Sequence, residues 1–552
     1  MTAPTRIAPS ATRAARMARI RPAMLDVAAD DRARHAERAG FRVALVRGPI
    51  VASRRSINNE AVPAIGLAYL AGYLLKKGFG VEIVDSIGEG LNRFWPLEQF
   101  PSYHCQGLSI GEIVERIPAD ARVIGFSVMF SGEWPAQRML ISAVRERFPD
   151  AFLLAGGEHM TALGEYSLRD CPALDLGIRG EGEHTLFEVV EALRLGEDPR
   201  RVTGVSYRDG AGAYVEVSGL PRIRDVGQVP WPHWPDGYLE KFWAAGKSYG
   251  VQTARDMPMT ISRGCPFQCT FCSSPTMWTT RYALRDIEDV IAEVKHCIAR
   301  YDITAVQLYD LTAITKRTWV IDFCRRLREE GIALQWSLPS GTRSEALDDE
   351  TLGLLYQVGC RYMVYAPESG SVDTLRRIKK QVSLERLTRS VLSARRLGFA
   401  LRTNLIIGFP FETRRDVFRT VRFGLMLAIR GVDEVSINIY SPYPGTELFD
   451  ELRAAGGMAL DDAYFLSLQS LNSDYTHRRP ITFNAHMGAR EIAFYRLFFM
   501  ATNYLLSYLL FPSRIVRTIR NLVSTTQAAT VLEHRLKDML VRRGLGKANA
   551  GP

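Results

Sequence analysis

The sequence predicts an α/β protein: an N-terminal doubly wound parallel-sheet domain, then a partial (β/α)6 barrel, then a helical C-terminal region. Two observations predict it. Short, almost continuously apolar runs alternate with segments of helical period, the pattern of parallel strands covered on both faces. The alternation comes in two series, separated by a Pro/Trp-rich link, VPWPHWPDGY, at 229–238. In the first series RVALV (42–46), VEIVD (81–85), RVIGFSV (122–128), AFLLAGG (151–157) and LDLGI (174–178) read as strands. Residues 65–78 read as an apolar-faced helix stopped by Gly78, and 134–147 and 183–194 as further helices. Residues 202–219 read as a closing hairpin. In the second series strands are predicted at 258–262, 305–310, 334–338, 362–366, 401–408 and 435–440, with helices at 286–300, 316–330 and 412–429 between them. Six successive units of this kind make a partial barrel. The predicted organisation is a disordered basic leader at 1–40, a first domain at 41–225, a linker at 226–257, a barrel at 258–452 and helices at 453–552.

Composition bounds the function. With 552 residues, 47% apolar and 24% charged, the chain is long enough for several cores and is not globally disordered. The net charge of +10 lies at the ends: residues 1–40 hold eight Arg against four acids, and 513–552 hold eight Lys/Arg against two. The body between them is balanced, so no nucleic-acid partner is expected. Residues 1–40 lack the apolar run of a secretory signal, and Asp26, Asp30 and Asp31 argue against a transit peptide. The apolar stretch 492–511 contains Arg496 and Asn503 and spreads its tyrosines along its length. It reads as a helix packed on the body or lying on a membrane surface, not as a span. A cytoplasmic protein with peripheral membrane contact is the corresponding expectation.

Eight cysteines are too few for a disulfide scaffold, and three of them cluster. Ser262-Arg263-Gly264-Cys265-Pro266-Phe267-Gln268-Cys269-Thr270-Phe271-Cys272 places C-x3-C-x2-C after the first barrel strand. Three thiolates so close suit a [4Fe–4S] cluster with one iron open, whereas structural zinc needs a fourth ligand at comparable spacing. The carboxyl end of a barrel strand is also where barrel active sites lie.

These residues resemble the radical S-adenosylmethionine (SAM) superfamily. In that family the open iron chelates SAM, and reduction releases a 5′-deoxyadenosyl radical that abstracts hydrogen from substrate. The resemblance implies cluster ligation by Cys265, Cys269 and Cys272, and SAM contacts from Phe271. It extends to Tyr365-Ala366-Pro367-Glu368-Ser369-Gly370, similar to the fourth-strand segment, which implies SAM contacts from Glu368 and Ser369. Asn404 to Thr413 resembles the segment beside adenine, implying Asn404 and Gly408, and Ser441 to Thr446 resembles the sixth-strand ending. Arg343 stands where the family often has an arginine. At the second strand Tyr309-Asp310-Leu311-Thr312 departs from the usual pattern, and Asp310 is the candidate there.

The first domain has no G-x-G-x-x-G after its first strand, which weighs against NAD. It resembles the cobalamin-binding fold that precedes many such barrels. Ser127-Val128-Met129 corresponds to the S-x-L element and Ala155-Gly156-Gly157 to the G-G element. The resemblance implies cobalamin contacts from Asp85, Ser127, Met129, Gly156, Gly157, His159 and Glu181. Near Asp85-Ser86-Ile87-Gly88, where a lower-ligand histidine is expected, there is none, so histidine-free cobalamin is implied; a domain that has lost cobalamin is the alternative.

The resemblance is to the group containing the anaerobic magnesium-protoporphyrin monomethyl ester cyclase and class B methyltransferases. It implies methylation of an unactivated carbon, with an electron donor such as flavodoxin or ferredoxin. An oxidative cyclase or rearrangement enzyme and a non-catalytic iron–sulfur module are the alternatives. The apolar C-terminal region is compatible with a lipid-like or macrocyclic small-molecule substrate.

Overall fold

The computed structural model describes residues 37–56, 61–247, 254–473 and 481–523, with 533 and 536. Nearly all of the expected leader, and part of a loop rich in His and Arg expected near 475–490, lie outside the described residues.

The first sheet contains β1 (Arg42–Arg47), β2 (Gly80–Asp85), β3 (Val123–Ser127), β4 (Phe152–Gly156), β5 (Leu176–Ile178), β6 (Val205–Arg208) and β7 (Tyr214–Glu216). Its order is β7-β6-β5-β4-β3-β1-β2. The strands from β2 to β5 are parallel, and β6 and β7 add the antiparallel hairpin expected from 202–219. Helices α1 (Ile65–Lys76), α2 (Trp134–Arg147), α3 (Glu158–Asp170) and α4 (Gly182–Leu195) cover its two faces. Two separate apolar cores show this, one around Trp134 and Ile141, the other around Leu67 and Val189. The chain runs from β1 outward to β2 and then crosses back to β3. The switch point, and hence the ligand crevice of such a sheet, is at the carboxyl ends of β1 and β3.

A three-stranded antiparallel sheet (Ile50–Ser53, Phe94–Pro96, Tyr103–Gln106) was not foreseen. Its strands have three or four residues each, too short to show a period in the sequence.

The barrel strands are β8 (Asp256–Met259), β9 (Ala305–Leu308), β10 (Gln335–Thr342), β11 (Cys360–Glu368), β12 (Ala400–Ile407) and β13 (Glu434–Ile439). They lie in sequential order, all parallel, as six units predict. The surrounding helices include α5 (Tyr238–Ala244), α6 (Ser274–Trp278), α7 (Ile287–Tyr301), α8 (Arg317–Glu329) and α9 (Asp349–Gln357), then α10 (Leu384–Leu397) and α11 (Arg414–Ile429). Local signals start these helices. Asp286 accepts from the amides of Glu288 and Asp289 at the start of α7, and Thr413 and Asp416 form a capping box on α11. Strand β8 ends three residues earlier than expected, and Ser262–Arg263 instead pairs with Ala283–Leu284 in a short antiparallel ribbon that carries the cysteine loop.

The C-terminal helices divide between the two bodies. Helix α12 (Asp462–Ser470) packs on the first domain: Arg138 bonds Asp462 at 2.7 Å, and Phe465 meets His159 edge-on. Helix α13 (Ala489–Leu510) lies on the barrel at α11 and β13, where Arg496 donates to the carbonyl of Ile437, and α14 (Ser513–Val523) follows it. Among the described residues no helix is long and apolar enough to cross a membrane.

Candidate active site between two sheet ends

The carboxyl ends of the two sheets face one another. Glu158, directly after the Gly156-Gly157 turn, accepts a 2.5 Å bond from Ser273, directly after Cys272. Thr161 on α3 contacts Met277 on α6 at 3.3 Å, and Thr276 donates to the carbonyl of Gly445 at 2.6 Å. The cysteine loop, the glycine turn and the end of the sixth barrel strand therefore meet at one place.

Cys265, Cys269 and Cys272 are free and half-buried in this loop, whereas the other five cysteines are buried. Burial pushes the Cys269 thiol up, against the charges of Lys380 and Arg343, and pushes Cys272 up to about 12. Metal binding displaces such protons, and two neighbouring cations offset the thiolate charge. Among the described residues no three Cys, His, Asp or Glu side chains close on a single ion. A four-iron cluster spaces its thiolates more widely than one zinc does.

Arg343 stacks over Phe267 of the loop, its guanidinium carbon 3.3 Å from the ring centroid. One guanidinium nitrogen donates to the carbonyl of Gln381 at 2.5 Å, while Nη2 is buried with no hydrogen-bond partner. A buried donor left open beside the thiols fits an anionic ligand group such as a carboxylate. Glu368 ends β11 with φ of +67°, a left-handed backbone rarely adopted by a non-glycine residue, and its carboxylate pairs with Lys380 at 2.9 Å. On the half-exposed face of β12, Asn404 accepts from Arg402 at 3.0 Å and from Ser436 of β13 at 2.8 Å. Phe271 packs edge-on against Phe409.

Three expected SAM contacts take other positions. Asp310 is buried and accepts from the amides of Ile261 and Ser262 and from the Ser262 hydroxyl, so it holds the ribbon that leads into the cysteines. Burial raises its carboxyl to about 6 against these bonds. Ser369 is buried with its hydroxyl on Thr420 of α11 at 2.9 Å. Gly408 has φ of +85°, and a Cβ there meets Ile492 of α13 at 3.0 Å, so its open side faces a helix.

Glu412, inside the Asn404 to Thr413 segment but given no role there, sets this turn. Its fully buried carboxyl accepts from the amides of Gly408 and Phe409 at 2.7 and 3.1 Å and from Thr374 at 3.1 Å. Burial outweighs these bonds and raises it to about 7. The folded chain therefore keeps a proton that the unfolded chain has shed, and stability falls as pH rises from the ordinary carboxylate range to about 7. Glu412→Gln, which can accept the same amide bonds, is expected to raise the unfolding midpoint relative to wild type at about pH 8 and to change it little at about pH 5. An equal difference at both pH values contradicts this.

At the switch point of the first sheet, Arg47 ends β1 and bonds the carbonyl of Val62 at 2.7 Å, with Asp85 at 3.5 Å. Glu133 is buried nearby; burial pushes its carboxyl up to about 8 while Arg47 pulls it down. Both were missed, although Arg47 could have been found as the charged residue closing the first strand. Ser127 and Met129 stand at the end of β3, and Met129 and Phe130 are exposed apolar side chains there. A Cβ on Gly156 meets nothing closer than 3.6 Å, whereas one on Gly157 lies 2.4 Å from the carbonyl oxygen of Val128. A Cβ at Gly156 would thus make only ordinary contact with Ile178, whereas Gly157 is glycine because of its own chain. Exposed apolar side chains beside a half-buried glycine fit a bulky planar group at this crevice.

Three expected cobalamin contacts need correction. His159 is wholly buried, with Nδ1 on Ser131 and Nε2 on Ser167, both at 2.9 Å, and its ring stacks on Trp134. Burial pushes it down to about 3, so it is a neutral core residue. Asp85 is buried and accepts from Tyr238 of the linker helix at 2.6 Å and from the amide of Ile87 at 3.0 Å. Phe242 and Tyr238 pack over Gly88, so the linker fills the position where a ligand histidine was sought. Glu181 belongs to a buried charge cluster between the domains: it lies 3.3 Å from Arg222 and 3.5 Å from Arg263, while Glu183 pairs with Arg263 at 2.5 Å.

Comparison with known proteins agrees with this geometry. Residues 259–424 match the radical SAM superfamily, and residues 59–190 match the B12 binding domain. An uncharacterized methyltransferase of Pyrococcus horikoshii is 29% identical over 410 residues, 74% of this chain and 83% of the relative. The anaerobic magnesium-protoporphyrin IX monomethyl ester cyclase of Rubrivivax gelatinosus is 26% identical over 394 residues, 71% of this chain and 66% of the relative. The structure of the radical SAM methyltransferase TsrM from Kitasatospora setae, with cobalamin and a [4Fe–4S] cluster bound, superimposes with a TM-score of 0.62 at 17% identity, covering 91% of this chain and 99% of that one. The chain thus carries a radical SAM domain preceded by a B12-binding domain.

Proposed function

We propose that this protein is a cobalamin-dependent radical SAM methyltransferase acting on an unactivated carbon of a small molecule. The observation that carries the reading is the Glu158–Ser273 bond, which brings the glycine turn of one sheet against the cysteine loop of the other. Radical generation and methyl donation must address the same carbon, and such a junction lets one substrate meet both. When bound, the cluster, SAM and cobalamin supply reductive sulfonium cleavage, hydrogen-atom abstraction and methyl transfer. The chain's own residues hold and orient. Cys265, Cys269 and Cys272 ligate iron, the open Arg343 nitrogen receives the SAM carboxylate, and Glu368, oriented by Lys380, and Asn404 take polar groups of SAM. Ser127, Met129 and Gly156 would border cobalamin. A flavodoxin- or ferredoxin-type donor supplies the electron.

The test is anaerobic reconstitution with cobalamin, a reductant and SAM. Wild type is expected to form both 5′-deoxyadenosine and S-adenosylhomocysteine. Gly156→Val is expected to lose bound corrinoid and S-adenosylhomocysteine while keeping its iron and 5′-deoxyadenosine. Formation of 5′-deoxyadenosine alone by the corrinoid-loaded wild type points to cyclase or rearrangement chemistry, and formation of neither product points to a binding module.

A further inference from the structure

The C-terminal helices carry apolar stripes on their outer faces. Along α13 the residues turned to the protein include Arg496, Asn503 and Ser507, while Phe494, Phe498, Leu505 and Leu509 are turned outward, with Leu509 66% exposed. These outward positions recur four, seven and four residues apart and form one stripe along the helix. On α14 the buried residues are Arg514 and Asn521, and the outward ones are Ile515, Val516, Ile519 and Val523. The two inward arginines bond the barrel: Arg496 bonds the carbonyl of Ile437, and Arg514 bonds those of Gly431 and Val432. Both helices thus rest on the same edge, the turn before β13 and β13 itself, and both apolar stripes face away from it. Monomeric proteins rarely leave contiguous apolar surface of this extent in water.

We propose that the outer face of α13 and α14 seats on the surface of an anionic lipid bilayer, with the helices in the plane of the interface. Glu533 bonds Thr518 and Asn521, on the polar side of α14. Charge selects the occupant. Exposed Arg490 and Arg520 flank the stripes, and the sequence from 524 to 552 adds five Lys/Arg against two acids. An apolar stripe edged by cations matches acyl chains beneath anionic headgroups, whereas in a face-to-face pairing of two copies like charges would meet. Neither helix is long and apolar enough to span, so the contact is with the surface. The proposal is independent of the reaction catalysed.

The test is flotation of the full-length protein with vesicles of phosphatidylcholine alone or mixed with phosphatidylglycerol. Wild type is expected to float with the mixed vesicles, less so with added salt, and not with phosphatidylcholine alone. The Leu505→Glu, Leu509→Glu double variant alters only exposed side chains, so its thermal midpoint and iron content are expected to match wild type. Its partitioning is expected to fall at least about tenfold. No flotation with mixed vesicles, equal flotation of the variant, or equal binding to both vesicle types overturns the proposal. A solution dimer that the double variant dissociates assigns the stripe to a second copy instead, and also overturns it.

Discussion

Anaerobically reconstituted Cys269→Ala is expected to retain almost no iron and to form no 5′-deoxyadenosine. A site that already lacks a fourth protein thiolate has no ligand to spare, and removing one of three leaves two irons without a protein ligand. Cys269 is also the thiol on which the charges of Lys380 and Arg343 act, so it has no equivalent in the loop. The control is Cys324→Ala. That thiol is buried in the barrel core on α8, and the variant is expected to keep wild-type iron content and turnover. Iron content by chemical analysis and the charge-transfer absorbance of the cluster are the measurements. Normal iron and turnover in Cys269→Ala would place the cluster elsewhere.

Glu183→Ala is expected to destabilise the protein by about 3–5 kcal/mol, because it leaves the buried Arg263 guanidinium without its closest partner. The pair is 2.5 Å apart, with both side chains 7% exposed. Burial alone would raise the Glu183 carboxyl, yet Arg263 overcomes it and the group is lowered. Glu181 at 3.5 Å cannot replace the lost contact, since it also serves Arg222 and the amide of Ile223. Arg263 directly precedes Gly264 and Cys265, so the loss is expected to extend to slower iron incorporation. The measurement is denaturant unfolding, completed as a double-mutant cycle with Arg263→Met, in which the double variant recovers most of the loss. A surface pair such as Arg325–Asp322, with both side chains more than half exposed, is expected to give no more than about 0.5 kcal/mol in the same cycle. A small loss in Glu183→Ala would show that the domains are held by their apolar contacts and not by this cluster.

The fold is largely legible in the sequence. Every strand expected in the two series is present, because buried parallel strands must be apolar along their length and cannot be mistaken for amphipathic helices when helix signals flank them. The short antiparallel sheet containing Tyr103–Gln106 was not legible, since strands of three or four residues leave no period. At the site the limit was different. Asp310, Ser369, His159 and Glu181 lie in the segments that the motifs marked, yet each turns to a partner within the protein. Residues that matter for shape, such as Lys380, Glu412, Glu183 and Arg263, belonged to no recognised chemical role, because their partners are 4 to 80 residues away in the chain.

What the sequence by itself determined is therefore local and periodic: two parallel βα series, their order, and three cysteines spaced so that one loop must present them together at a strand end. These follow from the alternation of apolar runs and from chain connectivity, which tertiary contacts do not alter. Only the tertiary structure decided which way each polar side chain points. It set the β1/β3 crevice against the cysteine loop through Glu158 and Ser273, distinguished Gly156, where a Cβ fits, from the crowded Gly157, and turned the apolar stripes of α13 and α14 away from the barrel. The physical reason is that a side chain's direction is settled by the packing and hydrogen-bond demands of elements distant in sequence, and no local pattern carries that information.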